Sequence, residues 1–326
     1  MRKSRWILCV MILATVFSCK RMPLYDLGEN SIQLELKLDL KLDLKVNLDV
    51  HVDVDIDTVI PTPEHMKVCF YSPENDNLKY TEYVGSTGGP ISTPAGTYNM
   101  VVYTFGTEYV QIRGEGNINT LEAFTSDITA TKGALLRGFT RTDIEEPQGP
   151  IIYTPDHLLA ARETVVIPEM ANEDRSVTIH AEASDVVETY GFMVKTVIGA
   201  EYIESCEAFV TNQARSSFFG IGKVSTEPAT LWFPVGVDRK KGCLYTLFNT
   251  FGKLPGESRC FLHILVHDTG GQDHHFSVDI TDDFERDDHN IEVKDPIDIP
   301  EPESHGGGIA PTVDPWDEEN HDVPIG

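Results

Sequence analysis

Four carboxylates in the segment DVDIDTVIPTPE, Asp53, Asp55, Asp57 and Glu64, stand at the 1, 3, 5 and 12 spacing with which an EF-hand loop surrounds calcium. The match stops there. Position six of the loop is Thr58, where the sharp turn needs glycine, two prolines follow, and the flanks alternate like strands. The segment reads as a solvated strand face, and no metal is assigned. A second group is His263 and His267, on one strand face, with His274 and His275 across a turn. Imidazoles so placed could hold a transition metal. The neighbouring Leu262, Ile264 and Val266 make a half-exposed strand the better account. Nucleophile elbow, P-loop, Rossmann glycine pattern and metalloprotease helix are all missing from the sequence, so no catalytic residue and no cofactor is assigned. The reading is non-enzymatic.

Cys19 offers different chemistry. The chain opens MRKSRWILCVMILATVFSCK, with Arg2, Lys3 and Arg5 ahead of an apolar run from Trp6 to Phe17, the order of a secretory signal peptide. Its last residues, Val16, Phe17, Ser18 and Cys19, resemble a bacterial lipobox. There, cleavage after a small residue such as Ser18 leaves a cysteine whose thiol carries diacylglycerol and whose freed amine is acylated, palmitate being a typical chain. Phe17 is larger than the pattern usually holds. Several acyl chains at about 0.8 kcal/mol per buried methylene hold a protein on a bilayer without a spanning helix. Lys20 follows the cysteine, where inner-membrane retention signals usually carry Asp, so the expected location is the outer membrane, lipid-anchored at the cell surface.

Composition narrows the partners. The 326 residues carry a formal charge of −26, and removal of Arg2, Lys3 and Arg5 with the signal takes it to −29. A surface so acidic repels phosphate backbones, which argues against nucleic acid. Beyond Cys9 and Cys19 the cysteines are Cys69, Cys206, Cys243 and Cys260, without the close pairs of a zinc site. Cys69 in KVCFY and Cys260 in CFLHILV sit in apolar strand contexts that suit buried thiols, and their disulfide state stays open.

The elements that must carry these residues are strands. From 32 to 57 every even position is Ile, Leu or Val and every odd one is polar. That period of two predicts a ribbon with one apolar and one charged face, on the order of 85 Å long if fully extended. Short β-branched and aromatic runs with Gly and Pro breaks follow, including strands near 176–182, 229–237, 242–250, 259–267 and 274–281, the last two closed by a turn at Thr269, Gly270 and Gly271. TPDHLLAARE, 154 to 163, predicts a brief helix or a crossing loop. The tail after Pro296 is acidic and proline-rich, with glycines at 306–308.

Five stretches, PEHMKVCFY, STPAGTYNMVVYTFGTEYVQI, PDHLLAARETVVIP, TLWFPVGV and the terminal GGGIAPTVDPWDEENHDVPI, together with the lipobox, resemble the fimbrillin-related lipoproteins of Bacteroides-type bacteria, the minor fimbrial anchor or accessory subunits. The resemblance implies an all-β chain of two transthyretin-like β-sandwich domains in tandem. The expected division is 1–18 signal peptide, 19–57 lipid anchor and ribbon, 58–163 first sandwich taking its first strand from the ribbon's end, 164–295 second sandwich, and 296–326 tail. The implied function is a structural one: anchoring, terminating or decorating a surface fimbria in cell adhesion, with shaft or accessory subunits as partners joined by strand addition. The alternative is a surface glycan-binding lipoprotein, for which Trp232, read as core, and Trp316 are the mature chain's tryptophans. Ile309, Val313 and Trp316 are candidate anchors of a connector tail, which either enters a neighbouring subunit or docks on its own second domain.

Overall fold

The computed structural model describes residues 31–41, 62–136, 149–169, 177–256 and 258–302. Ser18, Cys19, Asp53, Asp55, Asp57, Ile309, Val313 and Trp316 lie outside the described residues. The chain is all-β. In chain order, β1 (Ser31–Lys41), β2 (His65–Tyr71), β3 (Leu78–Gly85), β4 (Gly88–Pro94) and β5 (Gly96–Thr104) are followed by β6 (Gln111–Arg113), β7 (Glu122–Phe124), the helix α1 (Thr129–Leu136), β8 (Ile151–Tyr153), β9 (Leu159–Ile167) and β10 (Val177–Asp185). The second unit contains β11 (Glu188–Val194), β12 (Val197–Ile198), β13 (Ile203–Ala214), β14 (Ser216–Phe218), β15 (Lys223–Val224) and β16 (Pro228–Pro234). It is completed by β17 (Gly236–Asp238), β18 (Cys243–Thr250), β19 (Phe261–Asp268), β20 (Asp273–Asp279), β21 (Asn290–Val293) and β22 (Ile297–Asp298).

The first unit sets one sheet, β4-β1-β10, against another, β3-β2-β5-β9, joined at two corners into a closed barrel. Each seam is narrow: Gly85 opposite Gly88 at one corner, and Ala160 and Leu159 opposite Ser184 and Asp185 at the other. Leu34, Leu36 and Leu38 point into the core with Val68, Phe70, Met100, Val102 and Ile179, while Gln33, Glu35, Lys37 and Asp39 are exposed. The alternation of the ribbon is thus the in-and-out alternation of β1.

Two expectations are corrected. The barrel's first strand comes from the start of the ribbon, not its end, because a shift of two residues presents the same faces and the pattern alone cannot choose. Gly88 of the β3–β4 turn, at φ +97°, backs so closely onto the Leu36 carbonyl that any Cβ there would overlap it. The boundary drawn at 163/164 falls inside β9, which pairs along β5, and β10 returns to lie parallel to β1. The barrel therefore runs through Asp185. Of the stretch 154–163, expected as a brief helix or a crossing loop, only 154–158 is loop and 159–163 opens β9, while α1 was not foreseen at all.

The second unit packs the sheet β20-β19-β13-β16-β8 over β17-β18-β11-β21. Phe192, Val210, Leu231, Leu262 and Ile264 fill the space between, with Phe233 and Phe248 stacked 4.5 Å apart. A third sheet, β15-β14-β7-β6, draws strands from both sides and covers the outer face of β2 and β5. Cys69, Tyr71, Val101 and Tyr103 of the barrel meet Leu121, Ala214, Phe219 and Phe251 there.

Candidate assembly surfaces

β1 is held on both flanks. It pairs antiparallel with β4 from Ser31 to Lys37 and parallel with β10 from Leu34 to Lys41. Ser31 is twelve residues from Cys19, a reach of at most about 40 Å at full extension. A pull applied to Ser31 along the strand axis would load both ladders in shear instead of opening them bond by bond.

Open edges are the second feature, since an unpaired row of N–H and C=O groups is the natural seat for another strand. Beyond the corner at Leu159 and Ala160, β9 has β5 as its ladder partner and β10 has β1. Val166 of β9 is 69% exposed. In the second unit β8 is closed off: Ile128 N–H donates to the Ile151 carbonyl at 2.7 Å, and Ile151 N–H donates to Thr129 Oγ1 at 2.9 Å. At the other end of that sheet β20 pairs with β19 alone among the described residues.

The histidines do not gather into one site. His263 is fully buried on the outer face of the sheet, its Nδ1 2.9 Å from Ser277 Oγ, and burial lowers its pKa to about 4. His267 lies between Asp273 (2.6 Å) and Glu207 (3.2 Å); burial works against its charge, but the two carboxylates prevail and hold its pKa above the ordinary value. His274 Nε2 is 2.9 Å from Asp268. Among the described residues no three His, Cys, Asp or Glu side chains converge on a point that could hold a metal.

Glu207 organises that face. Besides His267 it accepts from the Trp232 indole N–H and, at 2.8 Å, from Lys132 of α1, whose ammonium sits 4.1 Å above the Trp232 ring centre. Burial disfavours the Glu207 carboxylate, yet these donors keep its pKa below the usual range. Trp232 is consequently half-buried under α1 on the outside of the sheet, not in the core as expected from its strand. Its tryptophan signal was legible; its face was not.

Cys69, Cys206, Cys243 and Cys260 are all buried free thiols. Burial pushes Cys206 up to about 12 and Cys260 up to about 11, far from the thiolate state that reacts. A cavity of about 330 Å³ opens at the barrel end between Pro63, Thr104, Phe105, Thr107 and Leu159, with His157 paired to Asp185 beside it. The exposed rings of Tyr83 and Phe105 meet edge to face nearby, 5.5 Å apart.

A closed barrel and a two-sheet sandwich joined by a shared third sheet place the chain in the all-β class. Residues 37–234 match the family described as "Domain of unknown function (DUF5119)", more than half of the chain, and the chain belongs to that family. It is 26% identical over 189 residues to a Bacteroides ovatus protein described as "Putative fimbrium anchoring subunit Fim4B", covering 57% of this chain and 52% of that one. The chain thus spans about half the length of this curated relative. The fold matches that of a crystal structure described as "a putative adhesin" from Bacteroides ovatus, with TM-score 0.55 and 20% identity over 83% of this chain and 93% of that one. A further similar structure, at TM-score 0.46 and 13% identity over 81% and 91% of the two chains, is the fimbrial anchor protein Mfa2 from Porphyromonas gingivalis.

Proposed function

We propose that this protein is a non-enzymatic outer-membrane lipoprotein, fixed at the cell surface by acyl chains on Cys19, that anchors or terminates a fimbria. Neighbouring fimbrial subunits join it by strand addition. The observation that carries the reading is β1: the segment leading from Cys19 enters the barrel as a strand paired on both flanks, so tension between membrane and fibre is borne by two ladders at once. Kinship with a protein described as a fimbrium anchoring subunit supports it. A surface glycan-binding role is less well served, because the Trp232 indole is committed to Glu207 and covered by Lys132.

Cys19→Ala tests the proposal. The variant is expected to lose metabolic palmitate labelling and detergent-phase partitioning, and cells carrying it to shed fibres into the medium. Labelling equal to wild type overturns the lipid anchor. Lost labelling with fibres still attached overturns the anchoring role.

A further inference from the structure

β20 ends its sheet without the usual defences of an edge strand. Its ionic groups sit at its two ends, where Asp273 meets His267 and Asp279 meets Arg259, and Ser277 between them is exposed. Phe276 and Val278 pack against the sandwich core yet are only partly buried, so the flank of that core lies open beside the strand. Natural sheets shorten, cover or charge such edges.

The ladder to β19 fixes which groups face outward. Asp268 N–H donates to the Gln272 carbonyl and Ile280 N–H to the Cys260 carbonyl. Even-numbered residues of β20 therefore bond toward β19, while His275, Ser277 and Asp279 direct N–H and C=O to the open edge. The side chains of these odd-numbered residues share the outer face of the sheet, where Ser277 Oγ lies 2.9 Å from His263 Nδ1. Phe276 and Val278 lie on the core face.

This arrangement is complementary to itself. Two copies of β20 related by a two-fold axis normal to the sheet run antiparallel, and their outward-bonding odd residues must stand opposite one another. An axis through Ser277 sets Ser277 against its own copy as a hydrogen-bonded pair and His275 of each copy against Asp279 of the other. On the core face the same axis sets Phe276 against Val278 in the closer, non-hydrogen-bonded kind of pair, covering the open flank. No other axis brings His275 opposite Asp279. An axis one residue earlier, through Phe276, sets Asp273 against Asp279 on both sides, a destabilising pair of like charges. The Asp279 carboxylate accepts from Arg259 and Thr281 and has capacity for one more donor.

We propose that this protein self-associates through β20, two copies joining antiparallel about Ser277 into one continuous sheet. The occupant of the edge is a second copy of this chain because the charged and apolar residues of the strand match their own two-fold image in one register. The contact is small, roughly six main-chain hydrogen bonds with the side-chain pairs beside them, which suits a weak dimer formed at high local concentration. The inference stands on β20 alone and is independent of the fimbrial reading.

Sedimentation equilibrium of the full mature chain, made without acylation, tests it between about 5 and 500 μM. The formal charge of −26 opposes the approach of a copy, so the measurement is made at ~0.15 M salt, where the screening length is ~8 Å. The average mass of wild type, and of Ser277→Ala, which keeps the N–H, is expected to climb toward that of two chains. Ser277→Pro removes the donor at the axis from an edge position that tolerates proline, and His275→Asp sets like charges opposite each other; each is expected to raise the dissociation constant at least about tenfold. His275→Lys, with a full positive charge opposite Asp279, is expected to lower it. A wild-type mass of one chain throughout overturns the proposal. So does a dimer as tight in Ser277→Pro and His275→Asp as in wild type, which would place the contact on another surface, or one that His275→Asp and His275→Lys weaken alike.

Discussion

His263 shows how one residue's surroundings set the response of the fold to acid. It is buried in the folded chain with a pKa of about 4, against an ordinary 6.5. Between those values the unfolded chain holds a proton that the folded chain refuses, so stability falls as pH drops through 6.5 and the loss is complete near pH 4, about 3 kcal/mol in all. Replacing His263 by Phe removes the proton and keeps the ring. Urea denaturation at pH 7 and pH 4.5 is expected to show a smaller acid loss in the variant than in wild type. Equal losses would mean that His263 is already charged in the fold. His267, four residues along the strand, has the opposite sign: its pairing with Asp273 and Glu207 adds stability at low pH that fades as pH rises through its raised pKa.

At the scale of the element, β1 is where a local rule and a tertiary one meet. Its polar odd positions suit water and its even leucines fill the barrel, but a strand set two residues further along would do the same. Whatever the register, the β3–β4 turn approaches the strand's backbone at Gly88, where φ is +97° and no space exists for a side chain against Leu36. Gly88→Ala is therefore expected to cost roughly 3 kcal/mol, the left-handed strain and the overlap acting together. Equilibrium denaturation measures it, and a variant within 1 kcal/mol, roughly, of wild type would show that the turn can shift without disturbing the strand.

The whole molecule is tied together by a shared sheet. β7, ahead of the barrel's last strands in sequence, pairs with β14 of the second unit, and Phe219 meets Tyr103 edge to face at 5.1 Å across the junction. Lys67 and Tyr103 both reach Glu115 there, and burial opposes the carboxylate's charge while these donors hold its pKa down. Wild type is expected to unfold in a single calorimetric transition. Phe219→Ala, at about 3 to 5 kcal/mol, should loosen the junction enough to separate the two units into distinct transitions. Two transitions already present in wild type would mean that the shared sheet does not couple them.

The sequence by itself determined the all-β class, the inward face of the ribbon and the Gly270–Gly271 hairpin. Each follows from alternation or turn chemistry within a few residues. Tertiary structure decided the rest. It chose which part of the ribbon enters the barrel, carried the first unit past 163 to recruit β10 as a parallel partner, and placed Trp232 outside its sheet under α1. α1 itself, eight residues begun by the Asp127 carboxylate accepting the Thr129 N–H at 2.8 Å, has too weak a pattern to announce itself. The physical reason is common to all of these: a period of two tells a residue's face but is unchanged by sliding, whereas the partner across a ladder is set by contacts between segments far apart in the chain.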